Sequence, residues 1–198
     1  MQTVAPATAI ELFGHVRIVM GMVIGLGITR LLTWIAAVVQ HPRRARLYLT
    51  HLLWVASILL ELIHFWWWEF ALFTISEWTF GVYFFLILYC VALFLLAALL
   101  VPDNIDDYTG YEDFFLSRRK WFFGLFAATF LFDILDTTIK GPKHLAMFGF
   151  EYAIQIPLSL AFCALAIFST NRRIQLGLVL LHIAYQVSWI YRLFYTVT

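Results

Sequence analysis

Charge is what this sequence has least of. Lys, Arg, Asp and Glu make up 13% of its 198 residues, against about 25% in soluble globular domains. Hydrophobic residues make up 63%, and mean hydropathy is +0.87. A chain of this length buries only about 70% of its surface on folding, so a soluble single domain is excluded. A disordered chain is excluded by the same composition. Cysteine is scarce too: Cys90 and Cys163 both lie in apolar runs, which fits packing residues and not a disulfide framework or redox pair. Charge of one sign is missing, because 13 basic and 12 acidic residues leave a net +1. That balance offers no basic face, and no nucleic-acid partner is expected. No phosphate-cradling glycine loop and no exposed Ser-His-Asp order occurs.

What the chain does have is long apolar runs and 19% aromatic residues. A bilayer core about 30 Å thick takes roughly 20 apolar residues as helix. Six stretches qualify: 10–39, 46–70, 79–101, 119–139, 144–168 and 174–196. They leave only short loops. The expectation is an all-α polytopic integral membrane protein, one transmembrane domain over 1–198, with the lipid bilayer as its solvent. The opening MQTVAPATAI lacks a basic region before its apolar run, so it is expected to be a retained helix and not a cleaved signal.

Lys and Arg in short loops mark the cytoplasmic side. The turn after the first helix holds Arg43, Arg44 and Arg46; the third connection ends in Arg118, Arg119 and Lys120; the fifth holds Arg172 and Arg173. Eight of the 13 basic residues thus fall in alternate loops. Those loops are expected in the cytoplasm of a bacterial plasma (inner) membrane, with both termini outside. Trp66, Trp67, Trp68 and Trp78 on the outer side and Trp121 on the inner side fit interfacial anchors. The third connection, 103–118, carries Asp103, Asp106, Asp107, Glu112 and Asp113 beside Phe114 and Phe115, the pattern of a segment lying in the interface. It is not an EF-hand, because Gly110 is eighth from Asp103 where that loop needs glycine sixth. Three helices precede it and three follow, which suggests an inverted repeat.

The informative residues are the ionisable ones inside the spans, because each costs a few kcal/mol in lipid and faces protein, cavity or partner. In the second helix His51, Trp54, Ser57, Glu61, His64 and Trp68 recur at steps of three and four, which is one helical face. In the fourth, Thr129, Asp133, Asp136 and Lys140 do the same. The fifth carries Glu151 and Gln155 ahead of Pro157, and the sixth carries His182, Gln186 and Arg192. At 1.5 Å rise per residue, Glu61, His64, Asp133, Asp136, Glu151, Gln155, His182, Gln186 and Arg192 all fall between mid-bilayer and the outer surface. They are expected to line a polar cavity, open outward and sealed toward the cytoplasm. The third helix has no charge between Phe80 and Val101 and is expected to face lipid or another subunit. Gly21, Gly25 and Thr29 form a small-residue ridge on the first helix, suited to close helix packing or a homo-oligomer seam.

This constellation points first to a small channel or transporter for a proton or small cation, since carboxylates and imidazoles are the side chains that bind or pass them. Six short helices enclose little volume, so a homo-oligomer is expected. A second reading is a metal- or haem-binding membrane oxidoreductase. Glu61-x-x-His64 has the spacing of di-metal bundles; Asp133, Asp136, Glu151 and His182 are the further candidate ligands, and His64 with His182 could hold a haem axially. Only one Glu-x-x-His occurs, where a di-metal site carries two, so no cofactor is assigned. A third reading is an accessory subunit of a membrane complex. Against all three stands an inert cluster in which acids and bases simply pair.

Overall fold

In the computed structural model, which describes residues 6–75 and 77–194, the chain folds into six long helices and two short 3₁₀ turns. They are α1 (Pro6–Gln40), α2 (Leu49–Trp68), a turn at Glu69–Thr74, α3 (Phe80–Leu99), a turn at Ile105–Asp107, α4 (Tyr111–Ile139), α5 (Pro142–Phe168) and α6 (Arg172–Phe194). All six are long and apolar enough to cross a membrane. Among the described residues there is no strand. The protein is therefore an all-α polytopic membrane protein. Such a fold satisfies its backbone within each segment, as hydrocarbon requires.

The three basic connections gather at one end of the bundle. Arg44 donates to Asp106 at 3.1 Å, Arg30 pairs with Asp103, and Arg172 pairs with Glu112. The amide of Tyr111 donates to the carbonyl of Arg46 at 3.2 Å, which ties the start of α4 to the α1–α2 turn. Gly110 precedes that bond with φ of +150° and sits against the Arg46 backbone, a position that suits a residue without Cβ. The α2–α3 and α4–α5 connections lie at the opposite end, where Lys140 bonds Glu69.

The 103–118 segment differs from the expected interfacial strip. Helix α4 starts at Tyr111 and runs unbroken to Ile139, so only its first part is loop. Glu112 and Asp113 stand in the first helical turn, where acids favour the amino end of the helix dipole. Phe114 and Phe115 are buried in the core. Asp103 and Asp106 of the loop pair with arginines, Asp107 accepts from the Asn104 amide, and Asp113 accepts from Thr109.

Helix packing also departs from the sequence in three places. Helix α3 lies between α1 and α4 and buries Leu86, Tyr89, Cys90, Leu93, Leu96 and Ala97. Its other face, with Phe80, Phe84, Leu88 and Leu95, is exposed, so α3 is packed on one side and outward-facing on the other, and a helix apolar all round suits both settings. Of the glycine ridge, Gly21 packs on Trp66, where a Cβ would lie 2.5 Å from the ring, but Gly25 meets open space and Thr29 is exposed. The close crossing is made by Gly27, whose Cβ would stand 3.2 Å from Leu62 and 3.6 Å from Ala97. Finally, α4 packs along α5, whereas α1 packs along α3, so the second half does not reproduce the first.

The basic half of the bundle is filled by rings. Trp54, fully buried on α2, meets Phe122, Phe123, Phe126 and Phe162 edge-on and stacks on His182 at 5.3 Å. Below it the His51 ring stacks on Tyr111, and its Nε2 lies 2.7 Å from the carbonyl of Leu100. If Gly27 sets the α1–α3 approach, Gly27→Leu costs roughly 1–3 kcal/mol by overpacking, while Gly25→Leu is near neutral. Unfolding of both variants in mixed micelles by denaturing detergent checks the contrast.

Candidate functional site: a carboxylate cavity beside a buried lysine triad

A cavity of about 100 Å³ lies between α2, α4, α5 and α6 in the half of the bundle away from the basic turns. A water occupies about 10–15 Å³ by this measure, so the space admits several waters or a small ligand. Its polar lining comes from four helices: Glu61 and His64 from α2; Thr129 and Asp133 from α4; Tyr152, Gln155 and Ser159 from α5; and His182, Tyr185 and Gln186 from α6. Rings of Phe65, Trp68, Tyr89, Phe126, Phe130 and Trp189 complete the wall. Six of the nine residues expected at the cavity are there: Glu61, His64, Asp133, Gln155, His182 and Gln186.

The two carboxylates are held differently. Glu61 accepts from the Gln186 amide at 2.7 Å; that amide lies 3.3 Å from the Ser57 carbonyl, and the Ser57 hydroxyl donates to the Gln186 oxygen at 3.1 Å. This interlock, α2 to α6, fixes the carboxylate at the middle of the bundle. Asp133 accepts from the Tyr152 hydroxyl at 2.8 Å, with Thr137 Oγ1 3.3 Å from the same hydroxyl. Tyr152 stands three residues past a break in α5 at Gly149, whose φ of +57° and ψ of −148° are not helical and are open to glycine alone. Eight residues on, Pro157 leaves the carbonyl of Ala153 without its helical donor. The α5 side of the cavity thus belongs to a discontinuous helix, and irregular backbone is tolerated at membrane depth where it is buried in protein or lines a cavity.

The other three expected residues stand apart, for distinct reasons. Asp136 is fully buried next door, 2.5 Å from the Lys140 ammonium. Lys140 also donates to Glu69 at 3.1 Å, and the Trp68 indole donates to Asp136 at 3.3 Å. Glu69 escaped the sequence reading because it belongs to the 3₁₀ turn that follows three tryptophans, off the α2 stripe. Trp68 is a wall of both triad and cavity, and Trp78 is buried; Trp67 and Trp121 are exposed, as interfacial anchors would be. Glu151 and Arg192 form a two-pronged pair at 2.6 and 2.7 Å on the exposed side of α5 and α6. Tyr152, Gln155 and Ser159 share the inward face of α5 at helical spacing, and Glu151, one position before Tyr152, points out.

Metal ligation finds no support in this geometry. Of the six candidate ligands, Asp136 belongs to the lysine triad and Glu151 to the surface pair. Among the described residues no group of three or more His, Cys, Asp or Glu side chains is placed to hold a metal ion. His64 and His182 both touch the cavity, but the His182 ring is stacked on Trp54 and meets Phe126 edge-on.

No family model matches the chain, and no curated protein or solved structure matches it either. The site has to be read from its own chemistry.

A second cavity of about 540 Å³ opens at the basic end, lined by α1, α3 and the turns, with Arg30, Trp34, His41, Arg44 and Asp103 among its walls. It corrects the expectation of a wholly sealed inner half. Arg30 spans that space, bonding the Val101 carbonyl at 3.4 Å as well as Asp103. The two cavities share no lining residue; the Trp54 cluster stands on the α2–α4–α6 side.

Glu61, Glu69, Asp133 and Asp136 are all at least partly buried, and among the described residues Lys140 is the one base within ion-pair distance of any of them. Removing that base leaves two buried carboxylates unpaired, which costs roughly 3–5 kcal/mol. Lys140→Met should therefore destabilise the protein by that amount at pH 7. The loss should shrink as pH falls, because a protonated carboxyl needs no counterion. Adding Glu69→Gln and Asp136→Asn should restore most of it. Thermal melting of the single and triple variants in detergent across pH 4–8 measures both effects.

Proposed function

We propose that the protein moves a proton or small cation across the membrane by way of the carboxylate cavity. One observation carries the proposal: four carboxylates with a single ammonium partner surround or adjoin a cavity inside the bilayer span. Three negative charges without a counterion are too costly at membrane depth. Protons or a bound cation neutralise them, and the exchange of one for the other is the elementary step of coupled transport.

Glu61 and Asp133 are the binding carboxylates, since both line the cavity and neither has an ion-pair partner among the described residues. His64, His182, Gln155 and Gln186 complete the path. The Trp54 ring cluster closes it toward the basic end, so passage requires that cluster to part. The break at Gly149 and the missing bond at Pro157 make α5 the element best suited to move, as discontinuous helices do in transporters. The basic turns lie in the cytoplasm of a bacterial plasma membrane, the termini and the cavity mouth outside, and the protein works as a homo-oligomer. Large apolar side chains such as Leu26, Phe150, Leu158 and Leu181 point outward and suit lipid or a second copy.

Two measurements test this. In proteoliposomes under a pH gradient, Glu61→Gln and Asp133→Asn should each lower proton or cation flux by about tenfold or more, the scale of a group that carries the ion. Wild-type flux in both variants would remove the mechanism. For orientation, single cysteines at 143 and 118 are introduced after Cys90→Ala and Cys163→Ala. A membrane-impermeant maleimide should label position 143 in intact cells and position 118 only after lysis; the reverse pattern would invert the topology.

A further inference from the structure

We infer that the cavity's occupant is a small organic ammonium compound, recognised by aromatic faces together with Glu61 and Asp133. The inference rests on the proposed cation-moving role and names its substrate class.

The protein already contains one ammonium bound in this manner. The Lys140 Nζ lies 5.2 Å from the centre of the Trp68 ring, 2.5 Å from Asp136 and 3.1 Å from Glu69. Two carboxylates and an indole face hold an alkylammonium in a buried setting. The cavity offers the same set again: Glu61 and Asp133 as carboxylates, with Trp68, Tyr89, Phe130 and Trp189 as rings. One ring, Trp68, belongs to both. The cavity differs in that no side-chain cation of the described residues is paired with its carboxylates, and it has room in place of one; the Arg192 guanidinium, paired with Glu151, lies 5.6 Å from the Trp189 ring centre.

Competing occupants are less well served. A hard metal cation exchanges its water for about six to eight oxygens, whereas this wall is largely aromatic and no group of three metal-ligating side chains converges among the described residues. A bare proton needs no space of about 100 Å³, since a hydrogen-bonded chain carries it. A weakly hydrated ammonium is the cation that a ring face stabilises, by about 2 kcal/mol or more once desolvated. The Gln155 carbonyl oxygen, buried and without a hydrogen-bond donor, is an acceptor suited to the N–H of a primary or secondary amine.

The test is calorimetric titration of the full chain in nanodiscs with methylammonium, tetramethylammonium, Na⁺ and K⁺ chlorides, beside flux of the same cations into proteoliposomes. Both ammonium probes should bind about tenfold or more tighter than either alkali cation. Trp189→Leu should weaken the ammonium probes about tenfold and leave Na⁺ and K⁺ unchanged, while Trp189→Phe, which keeps a ring face, should retain binding even if the leucine variant folds poorly. Asp133→Asn should weaken all four. Alkali cations that bind as tightly as the ammonium probes, or full ammonium binding in a folded Trp189→Leu protein, would overturn the ammonium assignment and leave the cation-moving role standing. Absence of binding and of flux for every cation, protons included, would bring down both.

Discussion

The structure depends on a charge imbalance held inside a bilayer. Four carboxylates on α2, α4 and the turn after α2 face one ammonium. In water such an excess would be trivial; in hydrocarbon it decides the architecture. Lys140 is placed to bond two of the four acids and to lie over Trp68. The remaining two acids each take a neutral donor instead, Gln186 for Glu61 and Tyr152 for Asp133. Those donors moderate the cost of burial without cancelling the charge. A fold seeking only stability would replace such groups with apolar residues of similar size, which is commonly neutral or stabilising. Their retention in a cavity is the physical reason to assign them work.

That imbalance has to be held by a rigid frame on one side and an adjustable one on the other. The rigid side is the ring cluster around Trp54, where five rings meet the indole with centroids 5.2–6.2 Å from it. The adjustable side is α5. A helix with a non-helical glycine and an internal proline has fewer backbone bonds to break when it moves, and it carries Tyr152, Gln155 and Ser159 into the cavity. The Asp133–Tyr152 bond therefore joins the uninterrupted α4 to the interrupted α5. Any change in the charge of Asp133 acts on that joint first.

The fold class and most of the cavity could be read in the sequence. Hydropathy over about 20 residues has only one solution in lipid, which is why six helices were predicted and six are found. The stripes of α2 and α4 work equally well, because a period of 3.6 survives whatever the helix packs against. Elsewhere the signal fails for identifiable reasons. Glu69 sits where the helix tightens into a 3₁₀ turn, so its face does not follow from the count along α2. Glu151 was placed with the cavity by its depth alone; the α5 stripe that lines the cavity is Tyr152, Gln155 and Ser159, and Glu151 stands one position off it, a difference of face that depth does not report. Helix α3 shows the limit of absence as evidence. A span without charge says that nothing forbids lipid contact, and equally that nothing forbids burial.

The neighbouring positions of triad and cavity carry a last consequence. Trp68 bonds Asp136 through its indole nitrogen and offers its ring to Lys140 and to the cavity wall. A cation entering the cavity would approach a tryptophan whose electrons already stabilise another cation, and two like charges near one ring repel. The Trp189 ring likewise faces the Arg192 guanidinium at 5.6 Å, so an entering charge would favour the space beside Glu61, Tyr89 and Phe130, away from the triad. Occupancy of the cavity and the geometry of the triad are thus linked by electrostatics, not by a separate signalling path. The lysine that pairs the two buried acids is also the fixed charge that any cation in the neighbouring cavity would meet.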